Sequence, residues 1–216
     1  MIYPPFPIEG SLHYSPKPVP SEAMTSWLLR TSVAHGCSWS DMTALLRRAG
    51  IGDPDFDWPW DVRSSASFFC VDPKEFREML GWSKSFVAQA GAFNLLRGQV
   101  SAPVFGLCSH CIRQAKVTHF QVEKRFSFVT MCDRHKTALR TLGHDAVYLG
   151  LCEPLPPNAY WNGGAPDTVP GAAHRLALER RMLAVVRSGF ERHPVLGVVP
   201  AQAVLESEAW RLVLRR

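Results

Sequence analysis

Cys108-Ser109-His110-Cys111 and, after twenty residues, Cys132-Asp133-Arg134-His135 decide how this chain is read. A tetrahedral Zn²⁺ takes four soft or borderline ligands, and two C-x-x-C/H turns each present two of them without straining the backbone. The pair predicts one closed, structural zinc site held by Cys108, Cys111, Cys132 and His135. A disulfide, buried free thiols or a redox dithiol are the alternatives for these cysteines. A redox C-x-x-C has no need of a second C-x-x-H downstream, and the zinc reading is preferred on that ground. His110 lies inside the first turn and is expected to point away from the metal. His119 falls in a predicted strand with no partner at ligand spacing.

Between the ligand pairs, Val117 to Gln121 and Arg125 to Met131 read as strands, with Phe126, Phe128 and Thr130 alternating with Arg125, Ser127 and Val129. Val122-Glu123-Lys124 is short enough for a turn, so a hairpin is expected to bring Cys111 and Cys132 together. A short helix over 137–142, stopped by Gly143, should complete a zinc ribbon or treble-clef-like finger. From Cys108 to Arg140 seven basic side chains (Arg113, Lys116, Lys124, Arg125, Arg134, Lys136, Arg140) stand against two acids, Glu123 and Asp133. The whole chain has net charge +5, so this segment carries an excess as large as the total. Such a patch suits nucleic acid, an acidic protein partner, or only solvent.

Upstream, Pro20-Ser-Glu-Ala-Met-Thr-Ser-Trp-Leu-Leu-Arg-Thr-Ser32 opens a helix expected from Ser21 to about Gly36. Met24, Trp27, Leu28 and Thr31 form its apolar stripe. This run resembles the opening "proline, acidic, S-W-L-x-R" helix of the TniQ family. Phe105-Gly-Leu-Cys-Ser-His-Cys-Ile112 and Arg125-Phe-Ser-Phe-Val-Thr-Met-Cys-Asp-Arg-His-Lys-Thr-Ala-Leu139 are similar to that family's zinc-binding signature. The resemblance covers about residues 15 to 140. The chain departs from the pattern at Ser109 and Asp133, where prolines are usual, at Lys124, aligned with a tryptophan, and at Lys136, where a glycine is usual. Longer members add a second C-x-x-C pair, whereas only Cys152 follows here.

The resemblance implies a helix-turn-helix-like bundle and a target-selection role in Tn7-like and related transposons. It also implies contact with an AAA+ transposition regulator and with target DNA or an RNA-guided CRISPR effector and its guide RNA. The leading expectation is a non-catalytic adaptor that couples target recognition to that regulator. The alternative is a stand-alone zinc-containing DNA-binding regulator. A homodimer is left open.

The organisation expected is mainly α with a small β zinc ribbon. A proline-rich arm takes 1–20, a helical domain 21–100, the zinc ribbon 101–150, and a linker with C-terminal helices 151–216. Six prolines in the first twenty residues rule out a helix there, and packing of the arm against its own domain is preferred over docking on a partner. A second helix runs from Ser38 or Ser40 to Ala49, ended by Gly50. A loop with at most a short turn spans 51–71, and Asp72-Pro-Lys-Glu75 caps a helix that ends near Gly81. A further short helix is expected over 83–91. Prolines and Gly163-Gly164 mark 150–171 as a linker. A helix with Leu176, Leu183 and Val186 on one side follows over 172–188, and a last one over 200–214.

The 216 residues suit one or two small domains. Neither a membrane span nor a secretory leader is apparent, and six cysteines without a disulfide framework fit a reducing compartment. A soluble bacterial cytoplasmic protein is expected. Catalytic motifs are missing: there is no Walker-A loop, HExxH, nucleophile elbow or acidic metal cluster. His35 and Cys37 diverge on a helix. Four protein ligands leave zinc no position for water, so no catalytic residue is assigned.

Overall fold

The computed structural model describes residues 5–56, 58–87, 104–126, 128–143, 171–188, 190–193 and 197–200. The chain forms two units. The first comprises the chain up to Lys84 together with Val117–Val122; the second includes Ser85–Lys116, Glu123–His144 and the elements after Gly171.

In the first unit, α1 (Met24–Ala34), α2 (Trp39–Arg48), α3 (Val62–Phe68) and most of α4 (Pro73–Val87) surround an aromatic core. Trp27 packs edge-on against Phe69 at 5.2 Å and Phe76 at 5.9 Å, and Phe6 stacks on Trp58 at 6.0 Å. Phe6 belongs to the N-terminal arm, which runs along its own helices. Its amide donates to Ser64 Oγ, the Leu12 amide to Phe68 O, and Trp27 Nε1 to Pro16 O.

Helix α1 departs from its expected start. Ser21 sits at φ 66 and Ala23 occupies the cap position without a side-chain bond. The capping oxygen comes instead from Asp55, whose buried carboxylate accepts the Thr25 amide and hydroxyl, both at 2.8 Å. The expected stripe is buried, and so are Ser26 and Ser32 on other faces. Their hydroxyls are satisfied by Glu22 and by Leu29 O.

Helix α2 follows expectation, with a full capping box between Ser38 and Asp41. Helix α3 corrects the loop expected over 51–71: Asp61 caps it through the Ser64 amide at 2.8 Å. Helix α4 starts at Pro73, with Asp72 accepting the Lys74 and Glu75 amides, but continues past Gly81 to Val87. A mid-helix glycine costs only about 1 kcal/mol, too little to end a helix whose earlier turns bury Phe76, Met79 and Leu80. The separate helix expected over 83–91 is therefore replaced as far as Val87; its remainder lies outside the described residues.

The first three helices end alike. The residue after each cap turns left-handed, and the next amide bonds back to the last turn: Cys37 to Ser32 O, Ile51 to Leu46 O, and Val71 to Ala66 O. Gly36 and Gly50 take the left-handed place in the first two; Cys70, at φ 52, takes it in the third.

In the second unit, β1 (Val104–Leu107) pairs antiparallel with β2 (Arg140–Gly143), placing Leu107 opposite Arg140. Helix α5 (Ser109–Gln114) follows β1 directly. The helix expected over 137–142 is overturned, because its residues supply β2 and the bridge Met131↔Ala138. The ribbon hairpin is overturned as well. Val122–Arg125 is a 3₁₀ turn, and the Phe126 and Val129 amides make local turn bonds to Glu123 O and Phe126 O. Phe120 has its amide and carbonyl engaged by Ser26 Oγ and the Ala23 amide within the first unit, so neither can enter a ladder. Helix α6 (Ala172–Ser188) matches the expected bounds. The hairpin of β3 (Phe190–His193) and β4 (Gly197–Pro200) was not foreseen. The linker expected over 150–171 and the last helix over 200–214 lie, apart from their end residues Gly171 and Pro200, outside the described residues.

Candidate metal centre

All four ligand residues lie between β1 and β2, so pairing of those strands closes the segment that carries them. Gly106 makes that closure tight: a Cβ there would stand 2.9 Å from Leu139 Cδ1 and 3.1 Å from Lys124 O. Leu107 delivers the chain to Cys108, and one turn of α5 brings Cys111 alongside. The second pair rides on the Met131↔Ala138 bridge. There the Cys132 amide donates to Thr137 O and the Lys136 amide to Cys132 O, both at 2.8 Å. Lys136 adopts φ 55 to make this turn, a conformation glycine takes freely and other residues at a cost of about 1–2 kcal/mol.

The four ligand atoms lie within 4.8 Å of one another. His135 Nδ1 is 3.4 Å from Cys108 Sγ, 3.3 Å from Cys111 Sγ and 3.6 Å from Cys132 Sγ, and the last two sulphurs are 3.6 Å apart. A zinc tetrahedron with Zn–S near 2.3 Å and Zn–N near 2.0–2.1 Å has edges of about 3.8 Å (S···S) and about 3.6 Å (S···N). The residues fit the ion.

The surroundings suit it also. Thr137 Oγ1 stands 3.5 Å from Cys108 Sγ, and the His135 amide donates to Cys132 Sγ at 3.4 Å. Burial, with the neighbouring thiols adding to it, pushes the Cys111 thiol up to about 12. A divalent cation reverses that balance by stabilising the thiolates. Desolvation and then the cations around it, Arg134 foremost, hold His135 below its ordinary value, which favours the neutral imidazole a metal needs. The His110 ring centre lies 5.2 Å from that of His135, outside the ligand set. His119 is not in a strand; its Nδ1 meets Val117 O at 2.9 Å.

The basic residues divide by exposure. Arg113, Lys116, Arg134 and Lys136 are exposed, Lys124 and Arg140 are half-buried, and Arg125 is buried at 3% exposure. Both acids of the segment are paired with α6, Asp133 with Arg180 and Glu123 with Arg187 at 2.8 Å. Glu179 of the same helix, 2% exposed, accepts the Thr130 amide, the Thr130 hydroxyl and the Met131 amide. These contacts escaped the sequence reading. The available signal was an acid on the buried side of a helix, between Leu176 and Met182.

Helices around an aromatic core make up the first unit, and in the second unit Cys108, Cys111, Cys132 and His135 form a cluster that could hold one metal ion. The chain belongs to the TniQ family, whose model matches residues 13–139, and that family serves transposition as adaptors. No curated protein and no solved structure matches the chain. The match takes in both motifs and ends just before β2. The family's acid and arginine are here Glu22 and Arg30, which form an ion pair at 3.2 Å, with Glu22 buried and Arg30 partly so. None of the described helices is long and apolar enough to cross a membrane.

Proposed function

We propose that this chain is a non-catalytic transposition adaptor, with one structural Zn²⁺ on Cys108, Cys111, Cys132 and His135, that couples target-site recognition to an AAA+ transposition regulator. The family match over residues 13–139 carries the reading. The closed ligand set supports a structural rather than catalytic metal, because a catalytic zinc keeps a position for water. Bound zinc would lock the two knuckles together; the chain's own task is to present surfaces.

The surface assigned to partner contact is the exposed cationic set Arg113, Lys116, Arg134 and Lys136, with Lys124 and Arg140 at its margin; buried Arg125 drops out. Target recognition would come through target DNA or an RNA-guided effector. The α1–α2 pair, joined by residues 35–38, supports a helix-turn-helix-like role for the first unit. The setting assigned is the bacterial cytoplasm, where transposition acts on the chromosome.

The test is reconstitution with a transposase and an AAA+ regulator of a Tn7-like transposon, with and without a guide complex, read out by where insertions land. Insertions directed to the chosen target only when the chain is present support the adaptor. An unchanged insertion pattern and no capture of the ATPase would refute it. Tight binding to one duplex with steep salt dependence and no protein partner would establish the DNA-binding regulator instead.

A further inference from the structure

The residues on either side of Cys132 are gripped by two consecutive residues of α6. Before it, Glu179 Oε1 accepts the Thr130 amide at 3.0 Å and the Thr130 hydroxyl at 2.6 Å, while Oε2 accepts the Met131 amide at 3.3 Å. After it, Arg180 Nε donates to Asp133 Oδ1 at 2.8 Å. Helix α6 is anchored by buried Leu176, Met182, Val185 and Val186.

We propose that Glu179 is a positioning residue of the metal centre, fixing the backbone that presents Cys132 and thereby slowing loss of the metal. The inference rests on the reading of Cys108, Cys111, Cys132 and His135 as a zinc site. The family match ends at residue 139, so this grip comes from a part of the chain beyond it.

The chemistry favours positioning over incidental packing. A carboxylate buried this deeply is costly unless several donors meet it, and burial raises its affinity for a proton while the Thr130 and Met131 donors oppose that. Three donors from two adjacent residues converge on it, and among the described residues Arg175, at 4.0 Å, stands near as a counter-charge. Without the carboxylate, the half-buried Thr130 amide and the buried Met131 amide lose their acceptor directly before Cys132. Groups that orient metal ligands from outside the coordination sphere typically change metal affinity by roughly 10–100-fold.

The experiment uses the full-length zinc-loaded protein and follows zinc transfer to excess 4-(2-pyridylazo)resorcinol. Glu179→Ala should release zinc roughly 10-fold faster or more. Thr130→Val, which removes one of the three bonds, should have a smaller effect, and the double variant should add nothing to Glu179→Ala. Leu46→Ala, a cavity in the first unit, should lower the melting temperature at an unchanged release rate. If Glu179→Ala fails to fold, Glu179→Gln keeps the volume and replaces one accepting oxygen with a donor, and should release zinc at an intermediate rate. Release at the wild-type rate from the folded Glu179 variant, or equal acceleration by Leu46→Ala, overturns the proposal. A wild-type chain that holds no zinc would defeat the metal reading itself, whereas one firmly held zinc with unaltered release would defeat only this inference.

Discussion

Ser26 Oγ accepts the amide N–H of Phe120 at 2.9 Å across 94 residues of sequence, and its own proton goes to Glu22 Oε1 at 2.9 Å. The Ala23 amide reaches Phe120 O at 2.7 Å. The serine of the S-W-L-x-R run therefore fastens the chain between the two ligand pairs to the start of α1. Ser26→Ala leaves a buried amide and a carboxylate each short of a partner, and should cost about 1–3 kcal/mol. Urea unfolding checks this, and a midpoint equal to that of the wild type contradicts it.

Glu22 gives the same motif a pH dependence. Burial pushes its carboxyl up to about 7 against the pull of Arg30, the Val19 amide and Ser26. The unfolded side chain titrates near 4.5, so the folded state holds the extra proton between these values. The stabilisation is complete below about pH 4.5 and is lost as pH rises through about 7. Relative to Glu22→Gln, the wild type should lose up to about 3 kcal/mol between those limits. Unfolding titrations of both proteins from pH 5 to 8 test this, and a constant difference contradicts it.

Besides Ser21 at φ 66, Cys70 at φ 52 and Lys136 at φ 55 occupy left-handed backbone that a glycine adopts without strain. Cys70→Gly and Lys136→Gly should each raise stability by about 0.5–1 kcal/mol, the relief of strain exceeding the entropy lost on fixing glycine. Lys136→Val should destabilise, since a β-branched residue tolerates that conformation least. Thermal melts of the zinc-loaded proteins decide the sign.

Reversing charge at the exposed set, with Arg134→Glu and Lys136→Glu together, should weaken capture of the partner at least 10-fold and leave the zinc content at one per chain. Loss of zinc alongside binding would make these side chains structural, and unchanged binding would return them to solvent.

The clustering of Cys108, Cys111, Cys132 and His135 was legible because metal-ligand chemistry fixes spacing, and two C-x-x-C/H turns stand out before any fold is known. Helices α2 and α6 and the start of α4 were legible because caps and apolar spacing are local. The ribbon hairpin was misread because Phe126 and Phe128 mimic strand alternation. They instead stack on each other, ring centres 5.3 Å apart, across local turn bonds. What the sequence withheld was supplied from far along the chain: Asp55 capping α1, Ser26 taking the Phe120 amide, and Glu179 taking those of Thr130 and Met131. Helix α3 hides for a different reason. Its run Arg63-Ser-Ser-Ala-Ser67 has modest helix propensity, and Asp61 and tertiary packing decide it.

Zinc K-edge X-ray absorption on the purified protein, with the metal content measured on the same sample, tests the central claim most directly. One zinc per chain with three sulphurs at about 2.3 Å and one nitrogen at about 2.0 Å is the predicted result, and Cys132→Ser should abolish it together with local folding of the second unit. A chain that carries no zinc, or a zinc with a water oxygen in its inner sphere, would contradict the account.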